Sequence, residues 1–262
     1  MYENYESLKF ERRGKVLTIT MDNPPMNSAS VSLHTELSYV FYDVARDPEC
    51  SVVVLTGEGR AFSAGGDINL MLERAEDPHW QSKYFRRGNF IIHSMLGLEK
   101  PIIARINGHA MGLGATVALL CDLTVASEKA KIADPHVAMG LSAGDGGAFI
   151  WPQMVGFARA KWFLLTGEHL TASEAVEIGL INKCVPPEQL DEVVYALADK
   201  LANGPTHALN ATKRSVNMLL RRQVEGVIEA HLGLEMLTVF TEDHKEAARA
   251  FLAKETPVFK GC

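Results

Sequence analysis

The sequence predicts an α/β fold with a mostly parallel sheet and an all-helical C-terminal region. Three observations predict it. Strand, loop and helix patterns alternate over residues 1–185; two glycine-rich loops each follow a strand; and after about Val185 helical periodicity continues with no strand between. Ligands in folds of this kind sit at the carboxyl ends of the strands.

The elements follow in order. "SLKFERRGKVLTITMDNPP" reads as a hairpin, two alternating β-rich runs about a turn at Arg13-Gly14, stopped by Pro24-Pro25. "SLHTELSYVFYDVARD" places Leu33, Leu37, Val40, Phe41 and Val44 at helical spacing. "SVVVLTG" is a short buried strand and leads into the glycine loop "GEGRAFSAGGDI". A helix is predicted from about Pro78 to Leu98, then the strand "PIIARING" and the second loop "GHAMGLGAT", which opens a helix through Leu120. "CDLTVASE" is another strand, and "GGAFIWPQMVG" begins a further helix. Beyond it "PEQLDEVVYALADKLAN", "PTHALNATKRSVNMLLRR", "VEGVIEAHLGLEMLTVF" and "EDHKEAARAFLAK" predict four helices. The chain thus divides into a core of residues 1–185 and a helical region of residues 186–262, packed on the core or on a neighbouring subunit.

Composition narrows the function. The chain has 262 residues, 47% hydrophobic and 22% charged, as expected of an ordinary soluble globular protein. A net charge of -6 and the lack of a basic block argue against a nucleic-acid partner. Cys50, Cys121, Cys184 and Cys262 lie far apart, without CxxC or zinc spacing, so neither disulfides nor a metal are expected. The N-terminus is polar and no apolar run nears the ~18 residues a membrane span needs. A cytoplasmic protein is expected.

Two tempting motifs fail on context. Gly112 and Gly114 begin a dinucleotide fingerprint, but its third glycine falls on Val117. "GLSAG" around Ser142 matches a nucleophile elbow, yet Pro135 and His136 interrupt the strand that should precede it. The two glycine loops make more sense together. Each aims backbone N–H groups into one crevice, where a pair of donors holds an enolate or tetrahedral oxyanion. Asp145 and His136, in "DPHVAMGLSAGDGG", and His34 are the candidate acid–base groups. Asp145 directly precedes a predicted helix and reads equally as its N-cap.

"GRAFSAGGDI", "KPIIARINGHAMGLGATVALLCDL" and "FLLTGEHLTASEAVEIGLINKCVP" resemble the enoyl-CoA hydratase/isomerase, or crotonase, superfamily. The resemblance runs from about Leu8 to Phe251. It implies a spiral of repeated ββα units, a C-terminal trimerisation region, and a homotrimer or dimer of trimers. It implies an acyl-CoA substrate, with coenzyme A entering as part of the substrate and no permanently bound cofactor. The thioester oxygen would sit between the N–H groups of Gly66 and Leu113. Arg60, Ala64, Asp67, Ile68, Phe251 and Lys254 match positions that contact CoA or shape its site, Asp67 reading also as a loop brace; Asn69 stands where a lysine is frequent.

The resemblance also exposes a departure. Where hydratases of the family carry two glutamates, this chain has Thr116 and His136. The set His34, His136 and Asp145 is similar to 6-oxocamphor hydrolase-type β-diketone hydrolases, which cleave C–C bonds by a retro-Claisen reaction. That branch lacks the CoA-type oxyanion loops, and this sequence keeps them. The expected function is therefore acyl-CoA chemistry through an enolate with His/Asp acid–base groups. The alternatives are a cofactor-free β-diketone hydrolase and a silent paralogue that binds acyl-CoA.

Overall fold

A computed structural model describes residues 1–74 and 76–262. β1 (Leu8–Arg13) and β2 (Val16–Met21) form the expected hairpin, Arg13 opposite Val16, with Gly14 at φ 58° in the turn. α1 (Val31–Arg46) is capped by the Ser30 hydroxyl, which accepts from Leu33 N–H. All five predicted apolar positions of α1 are buried, and His34 and Ser38 are buried beside them. β3 (Val52–Gly57), β4 (Ala61–Ser63), α2 (Ile68–Glu73) and α3 (Pro78–Gly97) follow. Next come β5 (Ile102–Ile106), β6 (His109–Met111) and α4 (Leu113–Leu119), then β7 (Leu123–Ser127) and β8 (Lys131–Ala133). A 3-10 turn, His136–Met139, leads to α5 (Gly147–Thr166), β9 (Leu170–Thr171), α6 (Ala172–Glu177) and β10 (Lys183–Val185). α7 (Leu190–Ala202), α8 (Thr206–Val239) and α9 (Glu242–Ala253) complete the chain.

The larger sheet runs β1-β2-β3-β5-β7-β10, parallel except for the β1–β2 hairpin; the smaller runs β4-β6-β8-β9. Each long strand β3, β5 and β7 is followed by a short strand of the second sheet and then by helix, the repeated ββα unit expected from the resemblance. The continuous apolar run of β3 follows from burial on both faces. Val53 and Leu55 face the main core with Ile102 and Ala104, whereas Val52 and Val54 join Ile103, Val125 and the α7 residues Val194 and Ala198. Each such valine, leucine or isoleucine contributes about 1.5–3 kcal/mol by leaving water.

Two expectations need correction. Among the described residues three helices, not four, follow Val185, because α8 runs unbroken through Arg221-Arg222-Gln223. Arginine and glutamine are good helix formers, so nothing there stops it. The short strands β4 and β6 fell within stretches read as loops, and β8 within a stretch given no element; three residues give too little alternation to betray a strand. α8 packs on α3 and α5, and α9 folds back over α2 and the 3-10 turn, where His244 Nδ1 meets the Met139 carbonyl at 2.8 Å.

Candidate active site

The two glycine loops meet at the carboxyl ends of β4 and β6. Gly65 has φ +83°, and a Cβ there would lie 2.6 Å from the Met111 carbonyl oxygen, so no other residue fits without displacing the second loop. The same point is 3.5 Å from Leu113 N. Gly66 follows Gly65, and Leu113 opens α4. Among the described residues neither the Gly66 nor the Leu113 N–H has a hydrogen-bond acceptor.

The second loop also positions the acid–base groups. Gly112 N–H donates to the Ala133 carbonyl at 3.0 Å, tying the loop to the end of β8. Asp134 and His136 emerge immediately after that strand, and a Cβ on Gly112 would stand 3.4 Å from His136 Cε1. The Asp134 carboxylate holds His136 Nδ1. His136 Nε2 then faces Asp145 Oδ2 at 3.4 Å and Glu235 Oε1 at 3.8 Å. Thr116 Oγ1, on α4, donates to Asp145 Oδ1 at 3.5 Å, a long contact. His136, Asp145 and Thr116 are therefore brought together, beside the loops that carry Gly66 and Leu113.

The cap reading of Asp145 does not hold. The N-cap of α5 is Gly146, without a side-chain cap, and the Asp145 carboxylate turns instead toward His136 and Thr116. Nor is Ser142 on an elbow: the 3-10 turn precedes it where a strand would be needed, and its N–H donates to Thr238 Oγ1 at 3.1 Å.

The electrostatics follow from burial and from the excess of carboxylates. Burial works to lower the His136 pKa, but the charges and hydrogen bonds of Asp134 and Asp145 outweigh it and raise it well above the ordinary value. His136 is then an imidazolium at neutral pH. Burial first, then the negative charge of Asp145, pushes Glu235 far above the usual carboxylate range, which keeps it protonated. His34 behaves oppositely. It is 1% exposed, its Nδ1 has no partner, and burial, helped by the charge of Arg87, lowers its pKa to about 3. It stacks on Tyr84 with ring centroids 4.1 Å apart, and Tyr84 stacks on Trp80 at 4.8 Å. Burial and the nearby Asp145, Glu235 and Asp67 push the Tyr84 phenol up, so it stays neutral. His34 thus belongs to an aromatic stack with Tyr84 and Trp80, and among the described residues it makes no hydrogen bond to His136 or Asp145.

The remaining sequence-predicted residues are more scattered. Asp67 caps α2, accepting from Leu70 N–H at 3.2 Å, and Ile68 begins that helix, half-buried against the core. Ala64 N–H is committed to the Met26 carbonyl at 3.0 Å. Arg60 is exposed at the tip between β3 and β4. Phe251 is 60% exposed and Lys254 is exposed at the C-terminus of α9; neither makes a side-chain hydrogen bond or ion pair among the described residues.

Sequence reasoning missed Asp134, Glu235, Tyr84 and Trp80. Asp134 was readable: it lies two residues before His136, close enough to orient the ring. Glu235 had one signal, a lone carboxylate within the apolar run "LGLEML". It reaches the site because Gly144 lets α8 approach; a Cβ at Gly144 would lie 2.2 Å from the His231 carbonyl and 2.7 Å from Glu235 Cβ.

A model of the enoyl-CoA hydratase/isomerase family matches residues 11–262. The chain belongs to that family. Family relatives agree along nearly the whole length. A short-chain-enoyl-CoA hydratase of Clostridium acetobutylicum is 32% identical over 246 residues, covering 93% of this chain and 94% of that one. The crystal structure of an enoyl-CoA hydratase/isomerase from Mycobacterium paratuberculosis superposes with TM-score 0.88 at 35% identity, over 93% of this chain and 97% of that chain. A β-diketone hydrolase from the cyanobacterium Anabaena, solved with (S)-3-oxocyclohexyl acetic acid bound, gives TM-score 0.85 at 33% identity, over 91% of this chain and 96% of that chain. The chain is an enzyme of the enoyl-CoA hydratase/isomerase type, and among its described residues no helix is long and apolar enough to cross a membrane.

Proposed function

We propose that this enzyme adds water at the β-carbon of an acyl-CoA whose thioester becomes an enolate during the reaction. The observation that carries the reading is the Asp134–His136–Asp145 array set beside two unpaired loop N–H groups. Gly66 and Leu113 N–H hold the thioester oxygen as negative charge develops; one such donor contributes about 2.7–4 kcal/mol in comparable sites. With His136 and Glu235 already protonated, Asp145 is the group that takes the proton from water. His136 and Glu235 are then the donors. Where the β-carbon is an alkene carbon, water adds there and the α-carbon takes a proton. Where it is a ketone, water gives a tetrahedral adduct. That adduct breaks the Cα–Cβ bond, releasing a carboxylic acid and the thioester enolate, which is protonated at the α-carbon. The Trp80–Tyr84–His34 wall suits a flat or cyclic acyl group. Coenzyme A enters only as part of the substrate, no resident cofactor is required, and Arg60, Ala64 and Asp67 lie near its expected path.

A free cyclic β-diketone is the second reading. The similarity to the Anabaena hydrolase favours it. The deciding experiment assays enoyl-, β-keto- and cyclic β-ketoacyl-CoA esters beside the free β-diketones. Turnover of a CoA ester, abolished by Asp145→Asn, is expected. Turnover of free diketones alone would transfer the assignment to the second reading, and CoA-ester binding without turnover would mark a silent paralogue.

Residues 186–262 are proposed to carry self-association as a homotrimer or a dimer of trimers. The exposed Val216, Met218, Leu219, Leu234 and Leu237 on α8 support this, and sedimentation equilibrium tests it. Four unpaired thiols support a reducing, cytoplasmic setting.

A further inference from the structure

Tyr84 carries a polar atom that the fold does not use. It stands one turn after Trp80 on α3, whose start is fixed by Asp77, the cap that accepts from His79 and Trp80 N–H at 3.1 Å each. Its ring is held firmly: His34 stacks on it at 4.1 Å, Trp80 stacks on it at 4.8 Å, and Phe85 meets it edge-on at 5.9 Å. Its hydroxyl has no hydrogen-bond partner among the described residues, and the oxygen keeps solvent access, whereas His34 Nδ1 is sealed in. Phenylalanine would fill the same stack. An oxygen that is neither paired nor sealed off is free to meet a ligand.

The hydroxyl lies beside the first glycine loop. A Cβ built on Gly66 would be 3.8 Å from the Tyr84 oxygen, and an amide nitrogen lies about 2.5 Å from its own Cβ position. The Gly66 N–H and the phenol are thus neighbours, close enough for one ligand oxygen to accept from both. Burial first, then the charges of Asp145, Glu235 and Asp67, hold the proton on the phenol. The hydroxyl is therefore a neutral donor with no protein acceptor among the described residues.

We propose that the Tyr84 hydroxyl is a third donor of the oxyanion site, sharing with Gly66 N–H the substrate oxygen that becomes negative. The stack supplies the precision: a ring fixed by His34 and Trp80 needs no reorganisation as the charge develops. The proposal rests on the acyl-CoA reading, in which that oxygen is the thioester's.

The test is Tyr84→Phe in the full-length chain, which removes one oxygen and keeps the ring. Binding is read first, by NMR, with a CoA ester ¹³C-labelled at the thioester carbonyl; hydrogen bonds to that oxygen move the carbon resonance downfield. The wild type should shift the resonance further than the variant does. In turnover, loss of one oxyanion donor should lower kcat by about 10²–10³-fold with KM little changed. The factor should be the same for enoyl and β-ketoacyl esters, because both share the thioester oxygen. Thermal unfolding should be nearly unchanged, since the hydroxyl has no protein partner to lose. Tyr39→Phe, at an exposed ring on α1, should leave all three readings as they were. An equal carbonyl shift in wild type and Tyr84→Phe would overturn the proposal and leave the acyl-CoA reading standing. A loss of turnover confined to β-ketoacyl esters would also overturn it, placing the hydroxyl on the second oxygen. A wild type that binds no CoA ester would end the acyl-CoA reading and this proposal together.

Discussion

Replacing His34 by phenylalanine should make the protein less sensitive to acid. In the folded chain the His34 pKa is about 3, because burial disfavours the charged ring; unfolded, it returns to about 6.5. Between those values the unfolded chain binds a proton that the folded one refuses, so stability falls as the pH falls. With these two pKa values the contribution of His34 is nearly nil at pH 7 and about -2 kcal/mol at pH 5. Phenylalanine keeps a ring stacked on Tyr84 and removes both the titration and the unpartnered Nδ1. Urea unfolding of both proteins at pH 7 and pH 5 measures the difference. The wild type should lose about 2 kcal/mol more than His34→Phe between those pH values. Comparing slopes cancels any packing offset from the larger ring, as well as the carboxylates common to both proteins. Equal losses would refute the reasoning and mean that the cavity around His34 admits water or a charge partner.

Further outcomes follow from the site. Asp145→Asn should lower thermal stability, because the buried His136 imidazolium loses a facing charge, and turnover should drop by about 10²–10⁴-fold; a folded variant with full turnover would remove Asp145 from the chemistry. Asp134→Asn should shift the pH profile, because His136 loses a charge that raises its pKa; NMR titration of the ring should show its pKa falling. In the wild type, kcat/KM should decline as pH rises through the elevated His136 pKa, where the donor proton is lost, and the stability contributed by that proton should decline over the same alkaline range. Gly65→Ala should destabilise the loop pair by about 1–3 kcal/mol, the cost typical of a forced positive φ, and should weaken CoA-ester turnover; denaturant unfolding with steady-state kinetics checks both.

The parts of the fold visible in the sequence were those with enough residues to set a period. The α1 stripe from Leu33 to Val44 and the solid apolar run of β3 needed only their own residues to be read. β4, β6 and β8 were hidden because three residues cannot show alternation, and their pairing is made by distant partners. The site divides along the same line. His136 and Asp145 were readable as chemistry-bearing residues in one glycine-rich stretch. Whether Asp145 capped α5 was not readable, because the choice of Gly146 as cap depends on the turn's φ of 126° rather than on residue type. Glu235 comes from α8, some ninety residues later, and only the close approach at Gly144 reveals it.

The charge around His136 is set by three carboxylates, Asp134, Asp145 and Glu235. Asp134 stands behind His136 and supplies a charge that the ring alone lacks. Asp145 stands between Thr116 and His136, 3.5 Å from one and 3.4 Å from the other. Burial first, and then the negative charge of Asp145, holds Glu235 well above the usual carboxylate range, so Glu235 carries the proton. On the proposed reading the cluster therefore offers Asp145 as the base, with His136 and Glu235 as donors. An ordinary two-carboxylate pair offers one base and one acid. The extra donor matters for a reaction in which a C–C bond breaks, because the leaving carbanion and the tetrahedral oxygen are different atoms and need different partners. In that reading Gly66 and Leu113 N–H would hold the thioester oxygen, Asp145 would take the proton from water, and His136 and Glu235 would be left as donors for the second oxygen and the α-carbon. By that division of labour the geometry favours β-keto over simple enoyl substrates, so cyclic β-ketoacyl-CoA esters should show the higher kcat/KM in the substrate panel.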